Sequence, residues 1–332
     1  MGFKDWETIE ITKDNGQVVS ATAPIIVSTS RRTDIPAFYA KWFMNRWRKG
    51  YVKWINPKNR RQVNYISFKK TRLVVFWSKN PAPILKYLPE LDSLGVNYYF
   101  QFTVNDYGDT GLEPHVPSLS ERVETFRTLS TALGKERVIW RFDPLILTQQ
   151  LDVNQLLERM FRVAERIGPF TEKLVISFAD TDYRKVQSNL RHAGIEWHEF
   201  SPDTINEIAK RLGELKSRFG LKIGTCAENV DLEQYGIDHN KCIDDDLMVR
   251  VFNRDKALMD FLGYDPTHPE QTRPYLKDKG QGGRKACGCI VSKDIGMYDT
   301  CQHLCVYCYA NASCSAVKKN CAKHSDDAES IA

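Results

Sequence analysis

Short apolar runs rich in β-branched residues recur along the chain, and stretches with helical spacing of apolar positions lie between them. Pro24–Ser28, Leu73–Trp77, Val96–Val104, Val138–Phe142, Leu174–Phe178, Leu221–Cys226 and Ile290–Ile295 read as strands. Ala37–Lys49, Pro83–Leu94, Leu119–Leu133, Val153–Ile167, Pro202–Phe219 and Asp246–Leu262 read as helices. Ser118 with Glu121, and Ser201 with Thr204, offer N-caps, and the charge of Asp203 suits a first turn. Strand alternating with helix predicts an α/β fold, a parallel sheet with helices outside. Six or more such units predict a single TIM-like barrel, complete or partial. Val52–Ile55 and Gln62–Phe68 predict an accessory hairpin, turning at Pro57, Lys58, Asn59 and Arg60. The expected organisation is an N-terminal extension over 1–23, a barrel over 24–312, and a polar tail over 313–332 that frays from Lys318. The basic hairpin at 50–70 and a cysteine-rich segment at 287–312 belong to the barrel.

Composition fits this picture without sharpening it. Of 332 residues, 42% are apolar and 27% charged, which excludes a disordered, collagen-like or coiled-coil chain. Apolar runs such as Leu73–Trp77 are too short to span a bilayer. Lys4, Asp5, Glu7 and Glu10 interrupt any secretory apolar region, and Trp6 stands where an N-myristoylation signal wants Ser or Thr. A cytoplasmic protein with no membrane partner is expected.

Charge is unevenly placed. Residues 1–80 hold 16 Lys/Arg against 5 Asp/Glu, and residues 41–80 hold 12 basic residues and no acidic one. Trp42, Phe43, Trp47, Tyr51 and Trp54 interleave with Arg46, Arg48, Lys49, Lys53, Lys58, Arg60 and Arg61. Cations beside stacking rings are what a nucleic-acid surface needs, so residues 41–80 are a candidate nucleic-acid contact. A solvated basic face with the rings packed inward accounts equally for the pattern, since Trp42, Arg46 and Lys49 fall at helical spacing.

The nine cysteines are more uneven still, because none lies in the first 225 residues. A secreted disulfide framework would spread them, so thiols in a reducing compartment, several of them bound to metal, are expected. Cys301-Gln302-His303-Leu304-Cys305-Val306-Tyr307-Cys308 has the spacing C-x3-C-x2-C. Three thiolates so close can hold three corners of a [4Fe–4S] cube and leave one iron open to a cofactor or substrate. Structural zinc prefers two CxxC knuckles and four ligands, and fits less well. Cys226, Cys242, Cys287 and Cys289 are enough for a second, auxiliary site. It is read as a second [4Fe–4S] cluster, with zinc or unrelated buried thiols as the other outcomes. Cys314 and Cys321 point only weakly to a third site, and His303 reads as a surface or supporting group.

The octet resembles the signature of the radical S-adenosylmethionine superfamily. Its extension Tyr307-Cys308-Tyr309-Ala310 is similar to the variant in spore photoproduct lyase and its relatives. Ser28–Pro36, Phe76–Pro81, Arg141-Phe142-Asp143-Pro144 and Cys287-Gly288-Cys289 resemble segments of the DUF1848 family, over residues 24 to 312. The superfamily resemblance implies a cluster on Cys301, Cys305 and Cys308, with S-adenosylmethionine bound at the open iron. It further implies reductive cleavage to a 5′-deoxyadenosyl radical, hydrogen abstraction from a substrate, and an electron donor such as flavodoxin or ferredoxin. Tyr307 would lie against the adenine. The motif stands about 25 residues from the last residue given, where the superfamily has it after an early strand. A circularly permuted radical SAM barrel resolves this, because the last strand of a barrel lies beside the first.

The strand ends should then converge on one rim. Their polar residues make Ser30, Arg31, Arg141, Ser177 and Glu228 candidate cofactor-binding groups. Arg141, in an apolar strand, needs an anion: the cofactor carboxylate or Asp143. Arg31 has Asp34 as the local counter-charge expected. Three readings are thus open. One is a radical SAM enzyme with a nucleic-acid, nucleotide or other substrate. The next is a metal-stabilised nucleic-acid-binding or electron-transfer protein. The last is a barrel hydrolase, for which the sequence offers no G-x-S-x-G or HExxH.

Overall fold

The computed structural model describes residues 6–56, 59, 61–268, 276–278 and 286–332. In chain order its strands are β1 (Glu7–Thr12), β2 (Val18–Ala23), β3 (Ile26–Ser28), β4 (Tyr51–Ile55), β5 (Val63–Ser67), β6 (Leu73–Ser78), β7 (Asn97–Thr103), β8 (Val138–Leu145), β9 (Leu147–Thr148), β10 (Lys173–Phe178), β11 (Trp197–His198), β12 (Lys222–Thr225), β13 (Ile237–His239) and β14 (Lys293–Asp294). The helices are α1 (Ile35–Phe38), α2 (Ala40–Lys49), α3 (Leu88–Ser93), α4 (Leu119–Leu133), α5 (Val153–Ile167), α6 (Arg184–His192), α7 (Pro202–Phe219), α8 (Asp245–Phe252), α9 (Lys256–Leu262) and α10 (Cys314–Cys321).

Eight strands form one parallel sheet in the order β13-β12-β10-β8-β7-β6-β3-β14. Each lies beside its predecessor except β14, which lies beside β3 with Lys293 opposite Val27 and Asp294 opposite Ser28. The last strand therefore delivers the cysteine loop to the end of the first.

Both faces of the sheet are buried, which is why its strands read as nearly continuous apolar runs. Val74, Phe76, Phe100 and Trp140 pack with the helix residues Phe43, Phe126, Met160 and Ile208. Leu73, Val75, Tyr99, Ile139 and Val175, one position out of phase, pack with Cys242, Ile243, Leu247, Met248 and Leu258. A strand alternates its side chains with period two, so each face has its own cover.

The expected caps form. Ser118 and Glu121 make a reciprocal capping box on α4, and the Ser201 hydroxyl accepts from the Thr204 amide at 3.1 Å. Two expected helices are broken. Ala37–Lys49 is α1 followed by α2, parted at Tyr39, whose hydroxyl donates to the Thr300 carbonyl at 2.7 Å. Asp246–Leu262 is α8 followed by α9. Asp255 caps α9 at the Leu258 amide (3.0 Å) while its carboxylate holds Arg72 at 2.9 Å. Pro83–Leu94 begins as a 3-10 turn over Ala82–Tyr87 before α3.

Residues 7–23 are more than an extension. β1 and β2 form a hairpin whose β2 meets β5, giving a second sheet β1-β2-β5-β4 that contains the expected basic hairpin. Within its turn, Pro57, Lys58 and Arg60 lie outside the described residues.

The tail does not fray. It folds back on α2 and β4 because its acidic residues meet their basic ones. Lys41 pairs with Asp326 at 2.9 Å, the Trp42 indole donates to the Ala328 carbonyl at 2.8 Å, and the Lys53 amide donates to the Glu329 carbonyl at 2.8 Å. Ile331 is buried. The rings that raised a base-stacking surface are core residues: Trp42, Phe43, Trp47 and Tyr51 are all buried. Arg46 is buried too and pairs with Asp14 at 2.6 Å, while Arg48 pairs with Glu90 at 2.5 Å. Inward packing thus accounts for the aromatic half of the pattern. Among the described residues, no helix is long and apolar enough to cross a membrane.

Candidate metal and cofactor site

A cavity of ≈ 420 Å³ opens where β3, β6, β8, β10 and β12 end and the cysteine loop crosses them. Cys301, Cys305 and Cys308 line it, with Tyr307, Ser30, Arg31, Arg141, Ser177 and Glu228. These groups come from four strand ends and one loop, so the parallel sheet brings together residues up to 278 positions apart. Lys79, Asp143 and Asp180 also face it, as the rim argument expects, whereas Gln101 and Asn105 serve the cavity wall from behind.

Asp34 ties the first loop to the last. Its carboxylate accepts from the Ala37 amide (3.0 Å), the Ser78 hydroxyl (2.7 Å) and the Lys79 amide (2.7 Å), and it meets His303 Nε2 at 2.8 Å. The expected role of Asp34 as partner of Arg31 is therefore not what it does. Its lone pairs are committed to backbone, hydroxyl and imidazole, and Arg31 points to Cys289 and the Trp77 ring. His303 is buried in this contact and supports the loop from within. Thr33 and Thr300 add a hydroxyl contact between the same two loops.

Backbone strain gathers here. Ser30, Ala227, Asp299 and Leu304 have φ of 99°, 61°, 58° and 53°, in the left-handed region that non-glycine residues avoid. Ser30 and Ala227 line the cavity, and Leu304 lies inside the C-x3-C-x2-C loop. Gly296 gives Ser30 its room, since a Cβ there would stand 1.8 Å from Ser30 Oγ and 2.2 Å from its Cβ. Gly296→Ala should force the two loops apart and cost about 1–3 kcal/mol, as overpacking does. A lower urea midpoint is the expected result, and an unchanged one would refute the close fit.

The motif thiols are poor acids as they stand. Burial pushes Cys301 up to about 12 and raises Cys305 and Cys308 as well. Metal binding would release their protons. The donor set suits a cluster: three thiols on one loop, Cys305 buried and Cys301 and Cys308 half-buried at the cavity wall, with the Ala310 amide donating to Cys308 Sγ at 3.3 Å. Asn311 braces the loop by donating to the Cys301 carbonyl at 2.8 Å.

Glu113 was not foreseen, because it lies in a polar loop with no periodicity. Its buried carboxylate accepts from Lys79 Nζ at 2.7 Å, Asn105 Nδ2 at 3.0 Å and the Tyr307 hydroxyl, and stands 3.8 Å from Arg122. Burial alone would raise its pKa, but Lys79 and Arg122 bring it down to about 2. Lys79 also lies 5.5 Å over the Tyr307 ring, so that ring is fixed at its hydroxyl and its face.

Arg141 takes the local partner, donating to Asp143 Oδ2 at 2.8 Å and to Cys242 Sγ at 3.0 Å. Ser177 holds the other oxygen of Asp143. Glu228 accepts from the Phe178 amide at 3.0 Å, and burial pushes its carboxyl up to about 7. Cys226 and Cys242 approach to 3.5 Å between sulfurs, and the Cys242 amide donates to Cys289 Sγ at 3.3 Å. Cys314 is exposed, and Cys321 meets the Tyr39 hydroxyl at 3.4 Å, so neither joins these groups. All nine cysteines are free of disulfides.

No curated protein and no solved structure matches the chain. Residues 26–310, from the first strand of the large sheet to the residue after the Tyr307-Cys308-Tyr309 run, match the model described as a domain of unknown function, DUF1848, and the chain belongs to that family.

Proposed function

We propose that the protein is a radical S-adenosylmethionine enzyme. Cys301, Cys305 and Cys308 hold its [4Fe–4S] cluster, and cofactor and substrate share the ≈ 420 Å³ cavity. One observation carries the reading: the three motif thiols open into the same cavity as every cofactor-binding residue inferred from the sequence. The pairing of β14 with β3 supports a permuted barrel, since it sets the late motif beside the first strand.

When bound, the cluster and S-adenosylmethionine supply an electron and a 5′-deoxyadenosyl radical that abstracts a hydrogen atom. The chain supplies position and dryness. Tyr307 offers a ring face held by Glu113 and Lys79. Glu228 offers a carboxylate for an ammonium group, and Ser30 and Ser177 offer hydroxyls on the cavity wall. Tyr183 and Tyr309, both exposed and stacked at 6.4 Å between centroids, narrow the mouth. The volume falls within the range of small-molecule sites, which favours a small substrate, or one nucleotide, over a long polymer inside the cavity. A flavodoxin or ferredoxin would donate the electron.

The test is product analysis. Anaerobically purified, iron-loaded protein given dithionite and S-adenosylmethionine should release 5′-deoxyadenosine. Fully loaded protein that releases none overturns the proposal.

A further inference from the structure

We propose that Cys226, Cys242, Cys287 and Cys289 hold a second iron–sulfur cluster, with Arg31 and Arg141 as its counter-charges. The four thiols come from three places in the chain: the end of β12, the segment after β13, and the approach to β14. Cys242 is the centre of the group, 3.5 Å from Cys226 and next to Cys289, which in turn bonds Cys287.

The donors around these sulfurs outnumber what neutral thiols use. Cys242 Sγ receives Arg141 Nη1 and Asn240 Nδ2, each at 3.0 Å. Cys289 Sγ receives the amides of Cys242 (3.3 Å) and Ile243 (3.4 Å) and Arg31 Nη2 at 3.5 Å. A thiol is a weak acceptor, whereas an anionic sulfur takes several N–H donors. Arg31 makes the same demand from the other side. Among the described residues it has no carboxylate partner, only sulfur and the Trp77 ring at 4.7 Å. Arg141 lies 5.2 Å from the same ring, so two guanidinium groups and one indole wall the thiols. Arg141 is buried and already has Asp143 as one anion, whereas half-buried Arg31 has none among the described residues, and a thiolate-bound cluster would supply it.

Spacing argues against a preformed single-ion site. Four thiolates at Zn–S bonds of ≈ 2.3 Å stand about 3.8 Å from one another in a tetrahedron. Among the described residues, no three cysteine sulfurs lie within 4.8 Å of one another; the group that does is Asp244, Asp245 and Asp246. Lys173 and Lys241 already neutralise those carboxylates. The four sulfurs form an open string and not a closed tetrahedron, the 3.5 Å pair of Cys226 and Cys242 would part on loading a cluster, and sulfide content decides between cluster and ion. Cys226 lines the shared cavity while Cys242, Cys287 and Cys289 are buried behind it, so the site meets the cavity through one ligand.

Hydrogen bonds to sulfur and nearby positive charge raise a cluster's potential. The second site has five such N–H contacts, two of them from arginines, whereas the donors to Cys301 and Cys308 are backbone amides, those of Asp34, His303, Ala310 and Asn311. It should be the more easily reduced of the two.

The experiment removes the first site and counts what stays. The triple variant Cys301→Ser, Cys305→Ser, Cys308→Ser, purified anaerobically, should keep about four irons and four sulfides per chain. Stoichiometric zinc without sulfide overturns the proposal, and so does a metal-free triple variant beside wild-type protein with about four irons, a result that leaves the radical SAM reading standing. Wild-type protein with no more iron than the triple variant sinks that reading instead and supports this one. In the triple-variant background, Arg31→Gln should lower the reduction midpoint of the remaining cluster. Arg141→Gln should do the same and gives a second measurement if either chain fails to fold. Unchanged midpoints in both overturn the counter-charge role.

Discussion

Cys305→Ala should abolish release of 5′-deoxyadenosine and remove about four irons per chain. Cys305 is the middle ligand of the proposed set, so its loss would leave Cys301 and Cys308 without the sulfur that closes it. The change deletes one small buried atom, and neighbours such as Lys79 and Glu113 keep each other's charge satisfied. The expected folding cost is that of a small cavity, about 1–2 kcal/mol. Loss of product with a nearly unchanged urea midpoint is therefore the expected pair of results. Cys314→Ala, at an exposed thiol, is the control and should keep both iron and product. Product at the wild-type level from Cys305→Ala would show that the loop is not where the cofactor is cleaved.

Glu113→Gln should be the most destabilising single change near the site. The substitution keeps the shape and removes the one carboxylate facing Lys79 and Arg122, both largely buried. Stranding buried charge costs roughly 3–5 kcal/mol, a large share of a typical folding free energy. The pH dependence has a definite sign. The Glu113 carboxyl titrates at about 2 in the folded protein against an ordinary 4.5. Its contribution is complete above the ordinary value and is lost as pH falls from there toward 2. Urea unfolding at neutral pH should show the drop in midpoint. Between pH 4.5 and 3 the wild type should lose stability that the variant no longer has to lose. Equal midpoints at neutral pH would show that Lys79 and Arg122 find other partners.

The repeated strands were legible because a sheet buried on both faces must be apolar throughout, and α4, α5 and α7 carry clean helical stripes with recognisable caps. The gathering of Cys301, Cys305 and Cys308 on one loop was legible because their spacing is local. Elements with little buried surface left no such trace. β1 is mostly exposed, and α6 buries only Val186 and Leu190. Glu113 was invisible for a related reason: its partners lie 8 to 194 positions away, and nothing beside it in sequence marks a buried carboxylate. The tail looked free because acidic residues in a polar run read as solvated. Their match lies in the basic α2, almost the whole chain earlier. The charge skew that suggested an external polyanion is in part answered by the protein's own last residues.

The pairing of β3 with β14 also sets an order of events during synthesis. A chain folds from its beginning as it emerges, yet β3 must wait for residues 293–294 before that side of it is paired. Until then the sheet exposes an open edge, the kind of surface through which nascent chains associate. On the proposed function, metal loading would come later still, since the motif loop follows β14 and leans on Asp34, Ser30 and Tyr39 from the start of the sheet. Cofactor insertion would then be the closing act of maturation, performed on a sheet already assembled, and cells short of iron or sulfide should accumulate folded, colourless protein.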